Sequence, residues 1–237
     1  MKKAIIVGAS SGIGRQLALV LLTKGYRVGV TARRASLLAT LKSQHPEAIV
    51  AKAFDCTQTD TLVILEQLAL ELRGMDLFVF CAGTGDLNAT LSSAIENRTN
   101  QLNVMAFTTI VGWAFRYFET RQQGHLVAIS SIAGFRGNRM APAYNASKAY
   151  QINYLEGLRQ KTASAKLNIT VSDIRPGFVA TAMAKGDGQF WVATIEKAAL
   201  QIFNHIRRKS EAAYITKRWR IIAILLKFLP NWLYKRL

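Results

Sequence analysis

The chain has 237 residues, of which 50% are hydrophobic and only 19% are charged, and this composition excludes wholesale disorder. Its length suits one domain with an appended element and is enough to bury a full-sized core. A net charge of +17 draws attention to nucleic acid as a partner, but a basic surface alone is not specific. The sequence has no recognisable nucleic-acid motif, so we expect no specific nucleic-acid partner.

The excess positive charge is polarised along the chain. Residues 205–237 carry nine Lys or Arg against one acid, Glu211, whereas residues 1–204 carry 22 against 13. We therefore predict a main domain over residues 1–216. A basic amphipathic extension with an extra helical element is predicted over residues 217–237, packed on that domain or on a membrane surface.

The cysteines and histidines favour a reducing setting without a metal site. Cys56 and Cys81 cannot form a disulfide framework, and neither has metal-ligand spacing. The three histidines are isolated along the chain. The basic start before Ala4–Val7 imitates a signal peptide, but Gly8 ends the apolar run too early. We expect a cytoplasmic protein without a bound metal.

Short β-branched runs alternate with longer helical patterns. This alternation predicts an α/β fold, a three-layer doubly wound parallel sheet (Rossmann-like) of about seven strands. In that class, ligands bind beyond the carboxyl ends of the strands. The predicted strands lie near 4–7, 26–31, 48–53, 77–81, 125–130, 169–174 and 213–216, and the predicted helices near 13–24, 34–43, 60–72, 99–119, 143–163 and 194–208.

A glycine loop stands where the first predicted strand gives way to a helix. Gly8 permits a tight turn, Gly12 lets the backbone approach a pyrophosphate, and Gly14 allows close helix–strand packing. The helix N-terminus offers free N–H groups and a positive dipole to phosphates. An ordinary turn is the alternative, but the position favours a dinucleotide site that includes Ser10, Ser11 and Ile13.

The end of the second strand favours NADP(H) over NAD(H). NAD binders place an acid there to take the ribose hydroxyls, but this chain has Arg33 and Arg34. Two guanidinium groups suit a 2′-phosphate by charge and by bidentate geometry. The alternative is a solvated basic helix start.

The middle of the chain carries the strongest constellation. Ser131 follows a predicted strand, and Tyr144 and Lys148 are four positions apart on the next helix, which puts both on one face. A phenol is a poor base at neutral pH, and a neighbouring ammonium is expected to lower its pKa. Tyr144 would then serve as a general acid/base, with Ser131 holding a substrate oxygen. A surface Tyr–Lys pair is the alternative.

With these motifs in this order, residues 1 to about 216 resemble the short-chain dehydrogenase/reductase family in its short single-domain form. The resemblance implies further contacts. Asp55 and the adjacent Cys56 are expected at the adenine, and Asn103 is expected to anchor a water in a proton relay. Phe80-Cys81 replaces two asparagines of a family motif, but Ala82 and Gly83 remain. The nicotinamide is expected to be held by Pro176, Gly177, Val179 and Thr181.

The resemblance also implies a reaction and an assembly. Hydride would pass between the nicotinamide and a carbonyl or secondary alcohol, with Asn103, Ser131, Tyr144 and Lys148 as the catalytic tetrad. Homodimers or homotetramers are common among such proteins. A catalytically silent NADP(H)-binding sensor of the same fold is the alternative, and the complete tetrad argues against it.

Two segments bear on the substrate and on membranes. Met183, Phe190 and Trp191 lie in the short segment between Thr181 and Thr194, where they would line an apolar substrate pocket or merely pack the loop. The extension over 217–237 has interspersed cations and aromatics that suit a headgroup boundary at the inner face of a membrane. Equally, the extension would cover the substrate mouth or join two subunits.

Overall fold

The computed structural model describes residues 1–184 and 188–236, so Leu237 and the part of the predicted substrate segment at 185–187 lie outside the described residues. Seven parallel strands form one sheet in the order β3-β2-β1-β4-β5-β6-β7, which confirms the predicted α/β class. The strands are β1 (Lys3–Val7), β2 (Arg27–Ala32), β3 (Ile49–Ala53), β4 (Leu77–Phe80), β5 (Gln123–Ile129), β6 (Asn168–Pro176) and β7 (Ala212–Ile215).

Helices cover both faces of the sheet. Leu17, Leu38 and Ile202 belong to the apolar cluster on one face, and Leu65 and Phe107 belong to the cluster on the other. Because both faces are covered, strands such as β4 are apolar at every position and buried throughout. The helices are α1 (Gly12–Thr23), α2 (Ala35–Gln44), α3 (Thr61–Glu71), α4 (Ser93–Asn100), α5 (Phe107–Thr120), α6 (Pro142–Ser164), α7 (Ile195–Arg207), α8 (Trp219–Phe228) and α9 (Asn231–Tyr234).

One predicted helix differs from the structure. The pattern at 99–119 predicts a single helix, but the helical region already begins at α4 and continues through a π-helical turn, Gln101–Ala106, into α5. The sequence of α4 is mostly polar, and only Thr99 is buried. It therefore lacks the apolar periodicity by which a helix is detected.

The direction of strand order reverses beside β1. Val7 at the end of β1 stands between Thr31 of β2 and Phe80 of β4 in the strand register. The connections after β1 and β4 leave toward opposite faces of the sheet, and this opens a crevice at their carboxyl ends. The glycine loop and the residues after β4 therefore meet at one place.

A buried ion pair supports the neighbouring end of the sheet. Asp173 on β6 is fully buried and accepts a hydrogen bond from the Ser130 hydroxyl. The Nε of Arg175 donates to Asp173 Oδ2 at 2.6 Å, and its Nη1 donates to the hydroxyl of Tyr214 on β7 at 3.2 Å. The guanidinium also lies over the ring of Phe135. This network connects Ser130, which follows β5, to the carboxyl end of β6 and to β7.

We expect Arg175→Met to lower the free energy of unfolding by about 3–5 kcal/mol, because the Asp173 carboxylate would remain buried without its partner. Lys161→Met is the matched control, since it breaks a pair with Glu119 whose lysine side chain is 56% exposed. That change is expected to cost about 1 kcal/mol or less. Urea unfolding of both variants measures the difference. Equal losses would show that the buried pair does not support this end of the sheet.

Candidate active site

The glycine loop between β1 and α1 can be built only with glycine at its key positions. Gly8 and Gly12 have φ angles of +92° and +58°, in the left-handed region that side chains disfavour. A Cβ on Gly14 would stand 2.2 Å from the carbonyl oxygen of Gly8, so this close helix–strand contact excludes any side chain. At these three positions the loop brings bare backbone to the crevice at the end of β1.

The N-terminus of α1 is strongly positive and fits a phosphate group. The first turn of α1 has no acidic residue, and the side chain of Ser11 makes no capping hydrogen bond. Arg34 reaches the same place, where its Nη2 donates to Ser10 Oγ at 2.8 Å and to Ser11 Oγ at 2.6 Å. A guanidinium and a helix N-terminus at one point provide the charge and the donors that a dinucleotide's phosphates need.

Arg33 lies on the other side of the expected adenosine region. Its Nη1 is 3.8 Å from Oδ2 of Asp55, and its side chain is 70% exposed. The carboxylate of Asp55 is held in place by the backbone N–H and hydroxyl of Thr57, at 2.9 and 2.8 Å. Arg33 and Asp55 line a cavity of about 520 Å³ together with Thr57, Thr84, Asp86, Arg98, Gln101 and Leu102.

The two cysteines near the crevice are thiols at neutral pH. Burial raises the pKa of Cys56 to about 12, and the nearby Asp55 carboxylate adds to this effect. Burial likewise raises the pKa of Cys81 to about 12, against the opposing charge of Lys148. Neither sulfur is an activated nucleophile. The described residues also include no group of three His, Cys, Asp or Glu side chains placed to hold a metal ion.

The side chain of Asn103 holds the turn after β4. The side-chain oxygen of Asn103 accepts from Thr84 N at 3.0 Å, and its Nδ2 donates to Thr84 O at 2.8 Å. Ala82 packs directly against the glycine loop, because a Cβ on Gly8 would stand 2.5 Å from the Ala82 nitrogen. Ala82 therefore lies beside the glycine loop, and Gly83 lies near the Lys148 ammonium.

Ser131, Tyr144 and Lys148 converge at the carboxyl end of β5. The Ser131 hydroxyl accepts from Ala133 N at 3.1 Å, which starts a short 3₁₀ turn over Ile132–Phe135. Helix α6 begins at Pro142, so Tyr144 lies in its first turn and Lys148 in the next. The Lys148 ammonium is 5.9 Å from the centre of the Tyr144 ring. The helix thus carries Tyr144 and Lys148 on one face, and Ser131 hydrogen-bonds the Tyr144 phenol.

The acid–base properties differ from the expectation in one respect. Burial raises the pKa of the Tyr144 phenol, although a hydrogen bond from Ser131 opposes this shift. Burial also lowers the pKa of Lys148 to about 8. The predicted lowering of the Tyr144 pKa by Lys148 is therefore wrong for this arrangement, because the loss of hydration dominates. At neutral pH Tyr144 carries its proton.

Gln151 is a site residue that the sequence reasoning missed. Its side chain is buried, its Oε1 accepts from the Lys148 ammonium at 2.9 Å, and its Nε2 donates to the Asn103 backbone oxygen at 2.8 Å. The ammonium also donates to Ile129 O at 3.1 Å. Gln151 thus connects Lys148 directly to the π-helical turn. The sequence signal that could have identified Gln151 is its position seven residues after Tyr144, on the same face of the helix.

The segment after β6 faces the glycine loop. A Cβ on Gly12 would lie 3.4 Å from the Thr181 methyl group, so Thr181 stands across the crevice from Gly12. Val179 is buried and pairs with Ala193 in an isolated bridge. Pro176 is buried, and Gly177 presses against the indole of Trp219. The C-terminal extension therefore packs, through Trp219, against the segment expected to hold the nicotinamide.

The three expected substrate residues do not form one group. The Met183 side chain lies near Gly83, on the side of Lys148. Phe190 and Trp191 instead pack against Trp219, with ring centres 4.9 and 5.7 Å away. Of the three, only Met183 therefore lies near Lys148, while the other two join the loop to the extension.

The C-terminal extension packs on the loop between Ser131 and Tyr144. Arg136 donates to the Leu229 carbonyl oxygen at 3.2 Å and to Asn231 Oδ1 at 2.9 Å, and its guanidinium lies over the Tyr234 ring. Trp219 and Ala223 of α8 are buried. The opposite face of the extension exposes Ile221, Ile224, Leu225, Phe228 and Trp232.

A glycine loop at a topological switch point with a Ser–Tyr–Lys cluster beside it is typical of dinucleotide-dependent oxidoreductases. Residues 2–190 match the sequence profile of a family described as short chain dehydrogenase. The chain belongs to the short-chain dehydrogenase family, whose members use NAD(H) or NADP(H).

Individual relatives agree with this assignment. An uncharacterized oxidoreductase of Myxococcus xanthus is 31% identical over 98% of this chain and 94% of its own length. A human 3-oxoacyl-[acyl-carrier-protein] reductase is 30% identical over 78% of each chain. The crystal structure of a short chain dehydrogenase from Bacillus anthracis superposes with a TM-score of 0.79, at 19% identity, over 90% of this chain and 93% of that one.

We expect Lys148→Met to raise the free energy of unfolding near pH 7 by roughly 1–3 kcal/mol, because burying the ammonium opposes folding. The unfolded chain holds the lysine proton up to its ordinary pKa of 10.5, whereas the folded protein releases it near 8. Wild-type stability therefore rises between pH 8 and 10.5, and the advantage of the variant disappears over that range.

Thermal and urea unfolding across this pH range measures the effect. Lys42→Met, at an exposed position on α2, is the control and is expected to show no such dependence. A variant less stable than wild type at both ends of the range would contradict the assignment of burial as the dominant effect.

Proposed function

We propose that this oxidoreductase transfers a hydride between NADP(H) and a carbonyl or secondary alcohol, with Tyr144 as the general acid/base. The observation that carries the proposal is the convergence of Ser131, Tyr144 and Lys148 beside the crevice between Gly12 and Thr181. When bound, the nicotinamide supplies or accepts the hydride. The backbone of the glycine loop and the segment from Pro176 to Thr181 hold the two ends of the cofactor.

Tyr144 carries its proton at neutral pH, which suits it to donate that proton in carbonyl reduction. A phenol whose pKa is raised is protonated at neutral pH, so it can give its proton to the substrate oxygen as the hydride arrives at carbon. The Ser131 hydroxyl holds the same oxygen by a hydrogen bond. In the reverse direction, Tyr144 must first lose its proton, which the same burial opposes.

Lys148 stabilises this proton transfer by its charge. With a pKa of about 8 the ammonium is mostly charged at neutral pH, and a cation stabilises a developing phenolate. We propose that Gln151 positions Lys148 relative to Asn103, because its amide contacts both. A catalytically silent NADP(H)-binding sensor is the alternative function. Such a sensor would not need Ser131, Tyr144 and Lys148 to converge.

The preference for NADP(H) over NAD(H) is supported by Arg34. Its side chain already lies against Ser10 and Ser11 at the end of β2, where the 2′-position of the adenosine ribose is expected. Arg33 is exposed on the same rim but is paired with Asp55. We therefore assign the larger share of 2′-phosphate binding to Arg34.

An apolar carbonyl is the proposed substrate. Met183 lies beside the catalytic side chains, and Phe190 and Trp191 are exposed on the adjoining aromatic cluster. The human relative is a reductase of 3-oxoacyl groups, in which the carbonyl stands on an aliphatic chain. We further propose a homodimer or homotetramer, as the family resemblance implies.

The extension is proposed to contact an anionic lipid surface from the cytoplasmic side. Its outer face is apolar, with Phe228 75% exposed, and six Lys or Arg residues lie between 217 and 236 without an intervening acid. No helix in the described part of the chain has the length and hydropathy to cross a membrane, so the contact would be peripheral. Covering the substrate mouth and joining two subunits are the alternative roles.

Tyr144→Phe is expected to lower kcat for carbonyl reduction at least about a hundredfold while NADPH binding persists, because only the transferable proton is removed. Tyr150→Phe is the control, because Tyr150 lies on the same helix as Tyr144 and its hydroxyl is bonded to Thr108 of α5. NADPH oxidation is followed with straight-chain ketones of increasing length. Retention of more than a few per cent of activity by Tyr144→Phe would refute the role of Tyr144, whereas no NADPH oxidation by the wild-type protein with any of the ketones would favour the silent sensor. A preference for short polar ketones would refute the apolar substrate.

Arg34→Ala is expected to raise the KM for NADPH about tenfold or more and to leave the KM for NADH within about twofold, because the lost guanidinium contact is specific to the 2′-phosphate. Steady-state kinetics with each cofactor measures the change. Lys42→Ala removes an equal charge further along α2 and should change neither constant. Equal effects of Arg34→Ala on both cofactors would refute the proposed preference.

Phe228→Glu is expected to weaken binding to phosphatidylglycerol-containing vesicles about tenfold or more, since it removes an inserted ring and adds a repelled charge. Leu70→Glu, at a site on α3 that is 76% exposed, is the matched control. Co-sedimentation gives the binding, and light scattering gives the oligomeric mass. Unchanged vesicle binding would refute lipid contact, and a loss of oligomer in Phe228→Glu alone would assign the face to a subunit interface.

A further inference from the structure

A basic groove lies outside the proposed active site, between α7 and the segment that connects β7 to α8. Its volume is about 440 Å³. Four cationic side chains and the half-buried His205 line it. The cations are Lys197, Arg208, Lys217 and Arg218.

No acidic residue is among the described residues that line the groove. None of the ion pairs recorded among the described residues includes any of these four cations. The guanidinium of Arg218 lies 5.0 Å from the Trp191 ring centre, which holds this charge at the rim. Basic groups in the last turn of α7 interact favourably with the negative end of its helix dipole. Lys217 and Arg218 lie beyond that helix and have no such role.

A polar group without a partner also lines the groove. Thr216 is only 6% exposed, and its hydroxyl has no hydrogen-bond partner within the described parts of the chain. Burying an unpaired hydroxyl opposes folding, so such a group calls for an explanation. Helix α8 starts three residues later with no acid in its first turn, which adds the positive end of a helix dipole.

We propose that this groove binds a phosphate group, on a soluble phosphate ester or in the headgroup of an anionic lipid. The phosphate oxygens would accept a hydrogen bond from Thr216 and charge-assisted contacts from the surrounding cations. The volume accommodates a phosphate with a small attached group. This site is separate from the Arg34 region, and phosphate binding here is independent of whether the proposed reaction occurs.

Calorimetric titration with glycerol 3-phosphate and with inorganic phosphate tests the soluble ligand. Thr216→Val is expected to weaken binding about tenfold, because it removes one hydrogen bond to a charged group. The same change should leave the melting temperature unchanged or higher, since it replaces an unpaired hydroxyl with a methyl group. A merely structural threonine would not alter phosphate affinity.

Surface variants keep the test valid if Thr216→Val fails to fold. Arg208→Gln combined with Lys217→Gln should lower the affinity at least about tenfold, because it removes two charged contacts. Lys24→Gln combined with Lys42→Gln changes the net charge equally at exposed positions on other elements. This control should bind as wild type does.

Phosphatidylcholine vesicles with and without phosphatidic acid separate the two sources. Titratable glycerol 3-phosphate binding that the groove variants lose supports a soluble ester. Binding only to vesicles that contain phosphatidic acid, lost in the groove variants and kept in the control, supports a lipid headgroup. Absence of phosphate binding in both arms, or equal losses in the groove variants and the control, overturns the proposal.

Discussion

The burial of the Lys148 ammonium is the constraint on which the candidate site depends. A charged amine at the carboxyl end of a parallel sheet is unfavourable unless acceptors surround it, and here Ile129 and Gln151 provide them. Gln151 in turn contacts Asn103, whose side chain holds the turn after β4. One desolvated charge thus connects α6, β5 and the π-helical turn, and its burial lowers the pKa of the lysine to about 8.

A second buried charge organises the other side of the crevice. The Asp173–Arg175 pair joins β6 to Ser130, next to Ser131, and to Tyr214 on β7. These contacts fix both the hydroxyl that would hold the substrate oxygen and the segment that would hold the nicotinamide. Rigid support of this kind suits hydride transfer, which requires the reacting groups to be placed within a fraction of an ångström.

The C-terminal extension has two faces with different roles. Its inner face contacts the loop between Ser131 and Tyr144 through Arg136 and supports Gly177 through Trp219. Its outer face is apolar and basic and remains exposed. The extension therefore connects the segments around the candidate active site to its own exposed outer face, which is proposed to contact lipid or a second subunit. The groove at Thr216 lies where the extension begins.

The sequence by itself determined the fold class, the order of the strands and helices, and the positions of the motifs. Buried strands, a glycine loop at the first strand–helix junction and a Tyr–Lys spacing of four are local patterns, and local patterns can be read along a chain. Only the tertiary structure decided the contact of Gln151 with Asn103, the different neighbours of Arg33 and Arg34, and the raised pKa of Tyr144. These depend on burial and on contacts between residues far apart in sequence, and no local pattern records them.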